Sequence, residues 1–313
     1  MNQIQSFKFY IFFIILSFVL PLELKPSNSN ELIKINVDGK NRTYYHLEKN
    51  KELIYSFDNE GIKDLSQRFS LKVVSRTVIA SNSNSNKTFG INIDVFDGDQ
   101  LVDSQNVTYN KDVSNATSDA KPGWNYTKAG FWFQELNDLE NKTMKITLMK
   151  GSPGVEVKLL LEKINLRISE KELSPINKVE KHNVIYNDEE GNSITSKNWY
   201  LLTDSNILQF KISGPKMIRF ISRVVTEDDD NENQMYSFLL REDGRYISNY
   251  NHSYKNSKSN AVVKGLNERL SSYNSSFYNI PKGIHYYSFI SNDENNFSSN
   301  DIYLKLEVYN ESE

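Results

Sequence analysis

Hydrophobic and polar residues alternate with a period of two along most of this chain. Four segments show the alternation clearly: residues 207–212, 217–225, 235–240 and 284–290. Gly, Asn, Asp and Pro residues separate such segments at the roughly 8–12-residue spacing that is typical of β-sandwiches. One segment, residues 261–271, has a weak helical pattern that Gly265 interrupts. The alternation therefore predicts an all-β protein built from antiparallel strands.

The pattern also contains an internal repeat. The motif Ser-Arg-x-Val ends an alternating segment at Ser75-Arg76 and again at Ser222-Arg223, 147 positions later. Three further features recur in the same order around it: an aromatic segment upstream (44–47 and 199–202), an Asp-Gly turn downstream (97–98 and 243–244) and a similar final strand (155–159 and 302–306). Two copies of one module built from strands are typical of binding and assembly proteins.

The repeat sets the predicted domain boundaries. We predict two tandem antiparallel β-sandwich (jelly-roll-like) domains, residues 27–167 and 183–313, after an N-terminal signal sequence. The segment between them, residues 168–182, is charged and contains Pro175, as linkers often do.

The N-terminus has the features of a secretory signal. Lys8 precedes an apolar stretch over residues 9–20 that only Ser17 interrupts, and Pro21 ends it. The stretch has the length of a signal-peptide core and is shorter than the roughly 20 residues that a membrane span needs. We predict a signal peptide over residues 1–26 and a secreted, periplasmic or cell-surface location, with membrane attachment only through an uncleaved signal.

Composition excludes several classes of function. The chain has no cysteine, so it has no disulfide, thiolate metal site or thiol nucleophile. Its formal net charge of −3 gives no attraction to nucleic acid. An exported chain without disulfides favours a bacterial envelope. About ten Asn-x-Ser/Thr sequons keep a glycosylated eukaryotic surface protein as the other interpretation.

The second module carries an order of motifs that resembles a known family. Gly214-Pro215 precedes the strand with Arg223, a hairpin with Asp243-Gly244 follows, and residues 280–287 read Ile-Pro-x-Gly-x-His-x-Tyr. This order resembles jelly-roll modules of exported bacterial proteins of the prepeptidase C-terminal type. The first module lacks close counterparts of the Gly-Pro and Ile-Pro-x-Gly elements. The resemblance implies a non-catalytic accessory module.

Two acidic loops have the composition of calcium ligands, residues 227–233 and 94–99. Comparison of the two copies argues against that role, because residues 81–86, which match the first loop, are uncharged, and the second keeps only its Asp-Gly in the other copy. We interpret both as hairpin turns and predict no metal and no cofactor.

Arg76 and Arg223 hold the same position in the two copies, within strands rich in Val and Ile. A guanidinium in such a strand must be paired or must contact a ligand. Both interpretations, a structural partner or an anionic ligand, remain open at the level of the sequence.

Aromatic residues give the other candidate ligand contacts. We select Trp124 and Tyr126, which follow Pro122-Gly123, and Trp132, which lies in an alternating segment. An exposed ring can stack on the apolar face of a sugar, whereas an alternating ring is as well explained by core packing. Trp124 is the best surface candidate, and the second module offers tyrosines instead: Tyr246, Tyr250, Tyr254, Tyr273, Tyr278, Tyr286 and Tyr287.

Catalysis finds no support in the motifs. The four histidines, His46, His182, His252 and His285, do not lie at metal-ligand spacing, and no Gly-x-Ser-x-Gly, phosphate loop or dinucleotide fingerprint occurs. We therefore predict no enzyme and no catalytic residue. The favoured function is a protein-binding adaptor in a cell-envelope or surface assembly, and the alternative is a carbohydrate-binding protein. The ligand and the relative orientation of the modules stay open.

Overall fold

A computed structural model describes residues 21–29, 31–57, 69–83, 85–136, 139–163, 168–188, 191–226, 234–254, 259–266, 268–292 and 301–309. Within these ranges the chain forms twenty-three strands and no helix. The first module contains β1 Leu22–Leu24, β2 Leu32–Val37, β3 Lys40–Leu47, β4 Glu52–Ser56, β5 Phe69–Arg76, β6 Val78–Ala80, β7 Lys87–Asp97, β8 Gln100–Lys111, β9 Val113–Thr117, β10 Trp124–Thr127, β11 Gly130–Leu136, β12 Lys142–Leu148 and β13 Val155–Lys163. The rest are β14 Ile168–Glu172, β15 Lys181–Asn187, β16 Ser193–Leu202, β17 Leu208–Val224, β18 Gln234–Glu242, β19 Arg245–Tyr254, β20 Ala261–Val263, β21 Arg269–Leu270, β22 Asn274–Ser291 and β23 Ile302–Tyr309.

The all-β prediction is confirmed, and the paired strands are antiparallel. The weak helical pattern at residues 261–271 was misleading, because the described part of this segment forms β20 and β21 joined by a turn at Gly265. Among the described residues no helix is long and apolar enough to cross a membrane.

Each module is a sandwich with its own hydrophobic core. In the first, Leu71 and Val73 of β5 face Ile91 and Ile93 of β7, and all four side chains are buried. The second core is richer in aromatic rings, with Phe220 within 6.0 Å of Phe238 (centroid to centroid). Both cores follow from strands that present apolar residues at every second position.

The two layers of the sandwich run through both modules. One layer has the strand order β4–β12–β7–β8–β19–β18–β22–β17. The other has the order β3–β13–β5–β11–β22–β17–β23–β16. Strands β17 and β22 belong to both layers because each bends from one layer into the other. The modules are therefore joined by strand pairing and not only by the chain.

Matching strands of the repeat meet at both joins. In one layer Gln105 of β8 pairs with Tyr250 of β19, and in the other Phe133 of β11 pairs with Phe277 of β22. Phe133 pairs with Lys72, and Phe277 pairs with Arg219. Lys72 and Arg219 each lie four residues before the arginine of the Ser-Arg motif, so Phe133 and Phe277 hold the same position in the two modules. Counterparts that pair with each other define a pseudo-twofold axis between the modules.

The seam between the modules consists of the β8–β19 pairing in one layer and the β11–β22 pairing in the other. Its β8–β19 half is polar and buried. His252 Nδ1 lies 3.2 Å from Asp103 Oδ2 across it, and the His252 residue is 1% exposed. Gln134 also donates to Asp103, and Trp132 Nε1 donates to Gln105 Oε1 at 2.6 Å. The seam thus depends on directed hydrogen bonds, which fix its register more strictly than apolar packing would.

Two predicted boundaries differ from the structure. The predicted linker, residues 168–182, contains β14, which pairs with β23, and Leu173 N donates to Leu306 O at 3.3 Å. The predicted signal peptide, residues 1–26, overlaps β1, which pairs with β13 and buries Leu24; residues 1–20 lie outside the described ranges. Both segments complete edges of the second layer, so the folded modules extend further than composition indicated.

The motifs that only the second module carries occur where β17 and β22 bend together. A Cβ on Gly214 would lie 2.0 Å from the carbonyl oxygen of Pro281, so only glycine allows this approach. In the first module the same path is divided between β4 and β5 and between β11 and β12. Among the described residues of the first module no strand crosses from layer to layer, which fits the absence of the Gly-Pro and Ile-Pro-x-Gly elements there.

The outer edges of the first layer are covered by matching asparagines. Asn28 Oδ1 accepts from Ile54 N of β4 at 2.9 Å, and its Nδ2 donates to Glu52 O. Asn177 does the same for β17, accepting from Gln209 N at 3.0 Å and donating to Ile207 O. Covered edges do not invite another strand.

We predict strong coupling across the β11–β22 half of the seam, where Arg219 Nη2 lies 2.7 Å from the buried Glu135 Oε2 and the Arg219 side chain is 12% exposed. Glu135→Gln should lower the free energy of unfolding by about 2 kcal/mol, because the guanidinium loses its nearest carboxylate and keeps Glu307 at 3.6 Å. Combining it with Arg219→Met should recover part of that loss in urea denaturation. The exposed pair Lys128–Asp112 is the control, since Asp112→Asn should cost less than about 1 kcal/mol. Additive effects of Glu135→Gln and Arg219→Met would contradict the coupling.

Candidate functional site

The first module has an open groove beside Trp124, at one end of the sandwich. The groove has a volume of about 310 Å³ and is lined by Trp124 and by short polar residues that include Thr117, Ser118, Asp119 and Asn125. Trp124 begins β10, which pairs with β6 through Ala80 and with β9. The site therefore lies on paired strands, with one loop as its rim.

Local hydrogen bonds hold that rim. Lys121 N donates to Ser118 O at 3.1 Å, Trp124 N donates to Lys121 O at 3.2 Å, and Gly123 between them has a φ of 79°. Ser118 Oγ donates to Lys34 O at 2.6 Å, which ties the loop to β2. Trp124 remains 46% exposed, as the sequence predicted for a residue after Pro-Gly. An exposed ring over a polar groove is the arrangement that binds amphipathic ligands such as sugars.

The other two aromatic candidates are buried. Tyr126 is 0% exposed and packs with Tyr44 and Val74, and Trp132 is 3% exposed and donates to Gln105 at the seam. Neither ring can stack on a ligand in this structure. Their selection as contacts needs correction, because Tyr126 packs inside its cluster and Trp132 faces the seam, while Phe131 beside Trp132 is 39% exposed.

Arg76 and Arg223 are also buried, and they make matching contacts. Arg76 Nη1 donates to Thr127 O at 2.7 Å and to Ser114 Oγ at 3.3 Å. Arg223 Nη1 donates to Ser271 O at 2.5 Å and to Ser259 Oγ at 3.3 Å. Arg76 therefore joins β5 to β9 and β10, and Arg223 joins β17 to the residues that flank β20 and β21.

These contacts favour the structural interpretation of the repeated arginines. The Arg223 guanidinium lies 5.5 Å from the ring centre of Tyr273 and 6.0 Å from that of Trp199, so aromatic faces compensate its charge. Burial lowers the pKa of Arg223, which measures the cost of placing the charge there. We assign both arginines to module stability and not to a ligand.

A second pocket adjoins the Trp124 groove and shares Lys121 with it. His46 lies in this pocket, with Nδ1 3.0 Å from Glu156 Oε1 and Nε2 3.4 Å from Glu48 Oε1. The hydrogen bond to the buried Glu156 raises the pKa of His46 against the effect of desolvation, and Glu48 adds to the rise. The second copy has Leu201 at this position, so the pair belongs to the first module alone.

A third cluster combines side chains that the sequence did not connect. Glu242, Asp243 and His285 each present a possible metal-ligand atom, and these atoms lie within 4.8 Å of one another. His285 is 42 residues from Asp243 in sequence, and pairing of β18 with β22 brings them together. Such cross-strand neighbours have no spacing signal in one sequence. Of the two acidic loops, residues 227–233 lie outside the described ranges, and residues 94–99 form the end of β7 and the expected turn.

The tyrosines of the second module divide between core and surface. Tyr250 and Tyr287 are buried, Tyr246 is 37% exposed and Tyr286 is 48% exposed. Tyr246 Oη donates to Asn106 O at 3.2 Å across the seam, so it supports the contact between modules. Among these rings Tyr286 is the most exposed whose side chain the structure describes.

Comparisons with known proteins give only distant likenesses. Tandem CBM51 modules of a family 98 glycoside hydrolase from Streptococcus pneumoniae match with 13% identity, 93% of each chain covered and a TM-score of 0.25. A tandem CBM22 domain of Xyn10C from Paenibacillus barcinonensis matches with 7% identity, 93% and 98% coverage and a TM-score of 0.25. The plant receptor-like kinase FER matches with 10% identity, 93% and 94% coverage and a TM-score of 0.24. No protein-family model and no curated protein matches the sequence. Likenesses at these TM-scores do not define a function.

We predict that Arg223→Leu lowers the free energy of unfolding by about 2–3 kcal/mol, because the Ser271 carbonyl loses a charged donor in a buried site. Arg76→Leu should have a similar effect through Thr127. The stability of Arg223→Lys, which keeps a charge but not the fork of donors, should lie between that of the wild-type protein and that of Arg223→Leu. Urea denaturation measures all three. Unchanged stability would restore the ligand-contact interpretation of the arginines.

We predict that His46 contributes stability that declines as the pH rises. Its folded-state pKa lies above the unfolded value near 6.5, so the contribution is complete below about pH 6.5 and is lost as the pH rises through the folded pKa. NMR titration should give His46 a pKa above 6.5. The stability difference between the wild-type protein and His46→Gln should shrink from pH 6 to pH 8. A His46 pKa at or below 6.5 would contradict the role of Glu156.

Proposed function

We propose that this chain is an exported, non-catalytic binding protein that holds a glycan in the Trp124 groove. The observation that carries the proposal is the exposed Trp124 ring above a groove of short hydroxyl, amide and carboxylate side chains. A ring face stacks on the C–H face of a pyranose, and the polar side chains can exchange hydrogen bonds with its hydroxyl groups.

The covered edges of the first layer also bear on the choice of function. A protein-binding adaptor that works by strand addition needs an open edge, and Asn28 and Asn177 occupy the backbone groups of β4 and β17. The mostly polar residues 248–252 of β19 pair with β8 in the seam, so this segment offers no open edge either. These two points favour the Trp124 groove over strand addition.

A protein partner remains the second candidate function, on a different surface. Ile284 and Tyr286 of β22 are 60% and 48% exposed, and the Lys211 ammonium lies 5.8 Å from the Tyr286 ring centre. An exposed apolar pair beside a cation is a contact surface for a protein side chain. In this form the adaptor binds through a sheet face.

The test begins with a screen of the untagged protein against a glycan array, followed by titration calorimetry of the hits. Trp124→Ala should weaken glycan binding by tenfold or more, because a central aromatic contact dominates such sites. Phe131→Ala is the control, since Phe131 is 39% exposed but lies on β11, away from the groove. Equal affinities of wild-type protein and Trp124→Ala would contradict the proposal.

Fluorescence gives an independent measurement. Trp132 and Trp199 are each 3% exposed, so iodide quenching reports on Trp124. A bound glycan should protect the wild-type protein from iodide. If no glycan binds and crosslinking in the native envelope recovers a protein that Ile284→Asp no longer captures, the second candidate replaces the first.

A further inference from the structure

The cluster of Glu242, Asp243 and His285 has the geometry of a small metal site. His285 Nδ1 lies 3.2 Å from Glu242 Oε1 and 3.2 Å from Asp243 Oδ2. Ligand atoms around a tetrahedral zinc ion, each about 2.0–2.1 Å from the metal, lie about 3.3 Å from one another. The separation of the nitrogen from each of the two oxygen atoms is therefore already close to what such an ion requires, and all three atoms lie within 4.8 Å of one another.

The contact of the other ring nitrogen supports a metal at Nδ1. His285 Nε2 lies 3.4 Å from Lys282 O, the partner that an Nε2–H group would have. A neutral imidazole in that form turns its Nδ1 lone pair toward two carboxylates, which repels them unless a proton or a cation lies between. Metal-bound histidines commonly donate their second N–H to a backbone carbonyl in this way.

Further hydrogen bonds orient both carboxylates. Asp243 accepts from Tyr286 N at 2.9 Å through Oδ1, which leaves Oδ2 directed at His285. Tyr287 Oη donates to Glu242 Oε1 at 2.5 Å, and Tyr278 Oη lies 3.4 Å from Glu242 Oε2. Carboxylates that are held in place reduce the ordering that metal binding would otherwise require.

The first module provides an internal comparison. Lys142 pairs with Asp97 there as Tyr287 pairs with Glu242, and Lys142 Nζ lies 3.9 Å from Asp97 Oδ2. By this register Gly98 is the counterpart of Asp243 and Glu140 is the counterpart of His285, one position away from the match between the Asp-Gly turns in the sequence. The first module thus has the carboxylates of Asp97 and Glu140, with a glycine and a lysine, where the second has two carboxylates, a histidine and a tyrosine. The second module alone places an imidazole beside its carboxylates.

We propose that Glu242, Asp243 and His285 bind one divalent transition-metal ion, with Zn²⁺ as the best fit. An imidazole with two carboxylates suits zinc, whereas Ca²⁺ requires six or more oxygen ligands and Mg²⁺ prefers an octahedral oxygen shell. Three protein ligands leave one coordination position for water or for an outside group. Two cations face the cluster, Lys111 toward Glu242 and Arg245 toward Asp243, and they set a limit on its affinity. This inference is independent of the Trp124 groove.

The test is calorimetric titration of the untagged, chelator-treated protein with zinc chloride at pH 7.5, with native mass spectrometry for stoichiometry. We expect one zinc ion per chain, and affinity that falls tenfold or more in His285→Ala and in Asp243→Asn. His46→Gln is the matched control. His46 also contacts two carboxylates but through opposite ring nitrogens, so its carboxylates do not converge, and zinc binding should be unchanged.

A second measurement needs no variant. Zinc should shift the NMR signals of the His285 ring in the wild-type protein and leave those of His46, His182 and His252 in place. Absence of binding at 100 µM zinc, or zinc retained at full affinity by both His285→Ala and Asp243→Asn, would overturn the proposal. Shifts at His46 without shifts at His285 would overturn it as well.

Discussion

The fold depends on the pairing of matching strands from the two modules. Strand β8 meets β19 and β11 meets β22, so both layers continue without interruption from one module to the other. A strand that carries buried Gln105 or Asn249 would be a poor free edge, because its backbone and amide groups need partners. The pseudo-twofold pairing gives each polar edge the matching edge as its partner. The contacts of Asp103, Gln134 and His252 then fix the register that apolar packing alone would leave loose.

The outer edges of the first layer are also partly covered, as the edges at the centre are covered by pairing between the modules. The first layer ends at β4 and β17, and there Asn28 and Asn177 each bond one N–H and one C=O group of the edge. These contacts leave fewer backbone groups in the first layer for pairing with a third module. Duplication in one chain also places the two edges at high effective concentration, so the seam forms without an association step.

Alternation was enough to predict the strands, the repeat and the sandwich class, because one-sided burial leaves a period of two in the sequence. It did not predict which polar stretch would be buried. Residues 248–252 lie in the seam, since hydrogen-bonded Asn and His can be buried as readily as apolar residues when a partner strand supplies the groups. Trp124 was predicted as a surface residue because Pro-Gly precedes it. The phase of alternation could not show that the Tyr126 and Trp132 rings lie on covered faces, and no local spacing connects His285 with Glu242 and Asp243.

The comparison of the two copies separates structural residues from functional ones. Arg76 and Arg223 make the same hydrogen bonds to the same kinds of partner, so selection for folding alone explains their recurrence. The two candidate sites lie where the copies differ. By the register of the arginine contacts, Trp124 corresponds to Glu268, whose carboxylate accepts from Tyr303 Oη at 2.7 Å. Asp243 and His285 correspond to Gly98 and Glu140. A duplicated module keeps the contacts that hold its sheets together and is free to change the loops at their ends. In the first module these loops expose the Trp124 ring. In the second they bring two carboxylates and an imidazole together.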